Sequence, residues 1–130
     1  MKYHPNLSIG TLLLRPKFFG IVQHEGVVVG YNAVLHNTPD KGEHVSTLNE
    51  FAAGAPVEAQ ITEADPVQLV TRVQQLLSKP QDYDLLRRNC QHTASQLIRG
   101  AAKSPWVIGV AVVLVVIAGI WALSVLLRRS

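Results

Sequence analysis

Apolar residues in the first third of the chain recur in short runs punctuated by glycine and proline. TLLLR (11–15), FFGIVQ (18–23), GVVVG (26–30) and AVLH (33–36) are rich in β-branched and aromatic residues and predict four strands. Gly30-Tyr31-Asn32 reads as a three-residue hairpin loop, with Asn32 suited to the left-handed conformation such a loop needs. HNTPDKGEH (36–44) reads as a polar loop around Pro39 and Gly42. Thr47-Leu48-Asn49-Glu50 has capping-box spacing and opens a short helix ending at Gly54. Val57, Ala59 and Ile61 alternate with Glu58, Gln60 and Thr62, the period of a half-exposed strand. Asp65 then caps a helix with Pro66 in its first position. Leu69, Val70, Val73, Leu76 and Leu77 form its apolar stripe, and Pro80 stops it. A further helix runs from about Cys90 to Ala102 and turns Ala94, Leu97, Ile98 and Ala101 inward. The fold class is α+β, an antiparallel sheet packed on helices.

The pattern then changes character. From Trp106 to Leu127 the sequence runs WVIGVAVVLVVIAGIWALSVLL without a charge. A helix of that length spans about 33 Å, against about 30 Å for a bilayer core. Pro105 marks its start, Trp106 and Trp121 lie near its ends, and Arg128 and Arg129 close it. A soluble domain of about 100 residues could hardly surround a helix that is apolar on every side. One C-terminal transmembrane helix is expected, and a membrane as the partner.

Composition adds three constraints. The 130 residues leave room for one small domain, divided here as 1–102 domain, 103–105 linker, 106–127 membrane helix and 128–130 basic tail. Net charge is +3, and four of the twelve basic residues (Arg99, Lys103, Arg128 and Arg129) flank the apolar helix, which favours anionic headgroups over nucleic acid as partner. The single cysteine excludes an internal disulfide and suits a reducing compartment. Arg15, Pro16 and Lys17 interrupt the apolar stretch from Ile9 to Val22, so no signal peptide is expected and the domain is placed on the cytoplasmic side.

That cysteine, Cys90, is the focus of candidate chemistry. With Asn89 as cap it falls in the first turn of its helix. Unpaired N–H groups and the helix dipole there favour a thiolate and would serve an oxyanion. A base must lie within reach and be held by a third group. His24 and His36 are the candidates. With a loop over 30–32, Gly26 pairs with His36 and the side chain of His24 shares a face with it as a diagonal neighbour. A two-residue loop at 31–32 would separate them. His92 reads equally well as a surface residue, and His4 and His44 have no evident partner. One cysteine and scattered histidines lack the paired spacing of a metal site, so no metal or other cofactor is expected.

QHEGVVVGYNAVLHNTP and NCQHTA resemble two motifs of the lecithin:retinol acyltransferase-like family: its histidine-bearing hairpin and its Asn-Cys-Glu-His-aromatic nucleophile motif. GTLLLRPKFF, VSTLNEFAAG and YDLLRRNC match its opening strands, its short helix and the lead-in to the cysteine, so the resemblance covers roughly residues 8–100. It implies a circularly permuted papain-like domain with Cys90 as nucleophile, His24 as general base and His36 orienting His24. The implied reaction takes an acyl chain from a glycerophospholipid onto the cysteine and passes the thioester to water, an amine or an alcohol. Glu25, Gln91 and Thr93 depart from the family pattern near where a substrate would be recognised.

The first expectation is thus a membrane-anchored acyltransferase or phospholipase A acting on phospholipid or another acyl lipid. A cysteine peptidase or amidase of the same fold and a non-catalytic membrane-tethered adaptor are the alternatives.

Overall fold

The computed structural model describes residues 7–17, 19–101 and 104–129. His4, Phe18, Ala102 and Lys103, which figure in the sequence reading, lie outside them. The elements in order are β1 (Leu12–Lys17), β2 (Val22–Gly30), β3 (Ala33–Thr38), β4 (Gly42–Ser46), α1 (Leu48–Ala52), β5 (Glu58–Gln60), α2 (Pro66–Ser78), α3 (Cys90–Arg99) and α4 (Pro105–Arg129). The five strands form one antiparallel sheet in the order β4-β3-β2-β1-β5. The fold is α+β, as expected.

Alternation along β2 and β3 gives the sheet two apolar faces. Val27 and Leu35 pack with Leu69 and Leu76 of α2 and with Ala94 and Leu97 of α3. Val28, Val34 and Leu13 pack on the other face with Leu48 and Phe51 of α1. His24, Gly26 and Val28 follow one another at the strand period, so the histidine belongs to the α1 face. Gly26 is bare for a reason: a Cβ there would stand 2.6 Å from the Phe51 ring and 2.7 Å from Val34.

Helix starts agree with the sequence, whereas α1 ends at Ala52 with Ala53 left-handed, before the expected Gly54. Thr47 accepts from the Glu50 N–H while Glu50 reaches back to the Thr47 N–H, a complete capping box. Asp65 caps α2 with Pro66 at its first position. Asn89 caps α3 through the N–H groups of Gln91 and His92, and Gly100 ends it in the left-handed region, short of the expected Ala102. Such a cap contributes about 1 kcal/mol. On α2, Leu69 and Leu76 are buried, but Val70 and Leu77 of the expected stripe are exposed.

Several readings need correction: the half-exposed strand expected over 57–62 is the short β5, exposed throughout, and Ala101, expected inward, is exposed beyond the end of α3. Residues 19–21 form a turn rather than part of a strand, and the strands expected at 18–23 and 26–30 are one continuous β2. The polar 36–44 segment is not a loop throughout. Thr38 pairs with Gly42 around a three-residue turn, and Gly42–Ser46 forms the edge strand β4. The hairpin loop is Tyr31-Asn32, two residues and not three, with Asn32 left-handed at φ 46°. A register shift between Val28 and Gly30 compensates, so Gly26 still faces His36.

α4 covers 25 residues and is long and apolar enough to cross a membrane, with none of its apolar window buried by the domain. It begins one residue earlier than expected and runs through Arg128 and Arg129, so the arginines finish the helix and are not a tail beyond it.

Candidate functional site

The pairing of Gly26 with His36 sets the diagonal that the sequence reading anticipated. His24 Nε2 lies 2.9 Å from His36 Nδ1, and both residues are buried. His36 Nε2 is 2.8 Å from the Ser46 hydroxyl, which is 3.2 Å from the Thr47 carbonyl. One assignment of the protons satisfies all three contacts. A carbonyl can only accept, so Ser46 donates to Thr47 and accepts from His36 Nε2–H. His36 Nδ1 is then the lone-pair nitrogen and accepts from His24 Nε2–H. The relay leaves the lone pair of His24 on Nδ1, the atom a general base would use.

Both imidazoles are held neutral. Burial, then the charge of His36 and of nearby Arg15, pushes His24 down to about 3. Burial, then His44, pushes His36 down to about 4. Phe51 stacks on His24 with ring centroids 5.2 Å apart and meets His36 edge-on at the same distance. Arg15, opposite His24 in the β1–β2 register, sits 5.9 Å above the Phe51 ring. His44 does have partners: its ring lies 4.4 Å from that of His36, and its Nδ1 donates to the Gly42 carbonyl at 2.7 Å.

Cys90 opens α3, which packs on the opposite face of the sheet. Its sulfur reaches the edge of β2 beyond the point where β3 pairing stops, and the thiol donates to the Gln23 carbonyl at 3.9 Å. The Glu25 N–H also points at the sulfur, so it lies against the backbone on either side of His24. Among the described residues no hydrogen bond joins the His24 ring to Cys90. The His24 ring lies on the α1 face against Phe51 and His36, while the thiol lies on the α3 face against the backbone of β2, so the two belong to opposite faces at the same point of the strand.

The helix N-terminus was expected to favour the thiolate, and here the structure reverses the direction. Cys90 is 3 % exposed. Burial raises its pKa, while the N–H groups of Glu25 and Gln91 pull the other way without winning. The Asn89 side chain also takes the Gln91 and His92 N–H groups. Cys90's own N–H is the first-turn donor left for an oxyanion. His92 is no surface residue: it is buried, and its Nδ1 accepts from the Asn89 N–H at 3.2 Å.

A second buried network sets the approach to Cys90. Glu43 and Arg88 form an ion pair, and Thr93 donates to Glu43 Oε1 at 2.9 Å. Glu43 Oε2 accepts from the Gln81 N–H, and Asn37 donates to the Arg88 carbonyl, both at 2.9 Å. The β3–β4 hairpin thus grips both the segment before Asn89 and the body of α3.

The expected linker is not loose at its end. Ser104 is 1 % exposed. Its hydroxyl donates to Gln91 Oε1 at 2.6 Å and accepts from Asn89 Nδ2 at 3.0 Å. Gln91 Oε1 also accepts from the Trp106 N–H at 3.1 Å, capping the first turn of α4. The residues on either side of Cys90 therefore hold the start of the apolar helix. Between them lies a cavity of about 150 Å³ lined by Lys17, Val22, Tyr83, Leu85, Asn89, Cys90, Gln91 and Trp106. Its walls are mainly apolar.

Ser46, Phe51 and Tyr83 are site residues that sequence reasoning missed, while Gln91 was read only as a departure from the family motif and Trp106 only as a helix end. Gly26 was the available signal for Phe51, since a bare glycine in an apolar strand marks a close approach. The sequence matches no protein-family model and no curated protein.

Proposed function

We propose that this protein is a membrane-anchored thiol acyl-transfer enzyme acting on glycerophospholipids, as its resemblance to the lecithin:retinol acyltransferase-like family implies. In this reading the fold is that family's circularly permuted papain-like domain, and α4 holds it on the cytoplasmic side of a membrane. The observation that carries the reading is the His24–His36–Ser46 relay, which leaves a neutral imidazole with Nδ1 unprotonated on the residue between the two backbone groups that touch the Cys90 sulfur.

The chemistry follows from that state. The thiol is neutral at rest, so it turns from the Gln23 carbonyl toward His24 and gives up its proton to Nδ1 as sulfur attacks the acyl carbon. The C–S bond forms and the ester C–O bond breaks. The departing lysophospholipid oxygen takes the proton back from His24. Positive charge on His24 during the step is stabilised by the Nε2–H bond to His36 and by the face of Phe51. Water, an amine or an alcohol then releases the acyl group from the thioester. The cavity beside Cys90, about 150 Å³ with mainly apolar walls, has room for the first few carbons of an acyl chain and offers few groups to pair with a peptide backbone, which favours lipid over peptide or amide. Gln91 and Thr93, departures from the family pattern, have structural partners here: Gln91 holds α4 and Thr93 joins the Glu43–Arg88 pair.

The depth of Cys90 and its raised pKa favour a second reading, a non-catalytic adaptor of the same fold. One experiment separates the two. The full chain in phosphatidylcholine vesicles is followed by intact mass and by fatty-acid release. An acyl adduct on Cys90, or release abolished by Cys90→Ala, supports the enzyme. Neither signal from the unmodified chain leaves the adaptor.

A further inference from the structure

The rim of the Cys90 cavity carries large apolar side chains that are largely exposed. In the turn between β1 and β2, Phe19 and Ile21 are 106 % and 81 % exposed. Leu85 and Leu86, in the tight turn closed by the Asp84–Arg88 bridge, are 51 % and 61 % exposed. Lys17 and Val22, which flank the first turn and pair with each other, line the cavity together with Leu85 and Trp106. Two apolar loop tips and the first turn of α4 therefore surround one opening. Phe19 also adopts φ 57°, strained backbone for a bulky residue, and in doing so holds its ring clear of the domain.

We propose that these two turns are a membrane seat: Phe19, Ile21, Leu85 and Leu86 enter the interfacial layer of the leaflet from which α4 descends, so that the mouth of the Cys90 cavity opens onto lipid. The inference rests on the reading of α4 as a membrane-crossing helix and is independent of catalysis. Continuity carries it. Gln91 and Ser104 fix the first turn of α4 to the start of α3, so the side of the domain that reaches the lipid is set by the fold. Trp106 suits the same depth, with an amphipathic ring where headgroups meet acyl chains. Exposure alone does not define this placement. Tyr31 is as exposed as Ile21 but stands at the far end of β2, about 26 Å of strand from Val22.

The test uses the full chain with Cys90→Ser and one new cysteine at a time, Phe19→Cys, Leu86→Cys, Tyr31→Cys or Val116→Cys. Each carries an environment-sensitive fluorophore and is reconstituted into phosphatidylcholine vesicles containing nitroxide-labelled lipid. Labels at 19 and 86 are expected to lose about half or more of their emission to a nitroxide near the headgroup, as interfacial side chains do. The label at 31 should respond to aqueous iodide instead, and the label at 116 to a nitroxide deep in the chains. If 116 is quenched while 19 and 86 behave like 31, the seat is wrong and the anchor stands. If 116 is not quenched by lipid, the anchor reading fails and the seat with it.

Discussion

Lowering the pH tests the relay without reference to any substrate. Above the ordinary histidine pKa of 6.5, His24 and His36 are neutral in both folded and unfolded chains and stability does not depend on them. Below it, the unfolded chain takes up two protons that the folded chain refuses until pH reaches about 4 at His36 and about 3 at His24. Stability therefore falls as pH falls, by about 1.4 kcal/mol per pH unit for each group. By roughly pH 5 the two together remove about 4 kcal/mol, against the about 5–15 kcal/mol that holds a typical domain folded. Urea titrations of the full chain in detergent micelles, monitored by circular dichroism across this range, measure the loss. Glu25, whose pKa is raised by burial, works in the opposite direction, and His92, whose pKa is lowered, adds to the loss. The comparison with a His24→Gln/His36→Gln double variant removes both from the account. Imidazole resonances in the unmodified protein supply the second measurement and do not depend on the variant folding. Titration of His24 and His36 near 6.5, or an unchanged slope in the double variant, refutes the claim that burial keeps them neutral.

Four further outcomes are expected. His24→Ala should abolish acyl release, and His36→Ala should lower it strongly, with the unfolding transition of the domain retained. Ser46→Ala removes the acceptor that sets the His36 tautomer and should lower turnover roughly fivefold, the equivalent of about 1 kcal/mol, with the acyl-adduct assay as readout. Burial should make Cys90 slower to react with iodoacetamide than free cysteine at neutral pH, by mass spectrometry, and faster reaction would mean the sulfur is more open than its 3 % exposure indicates. Glu43→Ala leaves the Arg88 guanidinium buried without its partner and should destabilise the domain by about 3–5 kcal/mol in the same urea titration, whereas a surface pair would cost under about 1 kcal/mol.

Local signals carried most of the fold. Caps at Thr47, Asp65 and Asn89 are written within four residues, and the runs of β1 to β3 announce themselves by composition. The long apolar helix α4 needs only length and absence of charge. Other features depend on compensation between distant residues. The hairpin keeps Gly26 opposite His36 because a bulge offsets a loop one residue shorter than expected, and no short window of sequence displays both at once. β4 hides in a polar segment because its edge position leaves Val45 exposed and places the polar Glu43 inside, where Arg88 pairs with it from 45 residues away. Ser46 is one residue from a clear helix cap, and its role exists only once β4 pairs with β3. The clamp on Ser104 belongs to the same class, since Gln91 looks like an ordinary helix residue until the chain returns to it 13 positions later.

That clamp has a mechanical consequence. α4 is a rod about 37 Å long, and its upper end is welded by Ser104 and the Trp106 N–H to the residues bracketing the sulfur. Those bonds pass a lean of the rod on to the domain. On the reading of α4 as a membrane-crossing helix, bilayers of different thickness set different leans, and the orientation of the Cys90 cavity to the lipid changes with them.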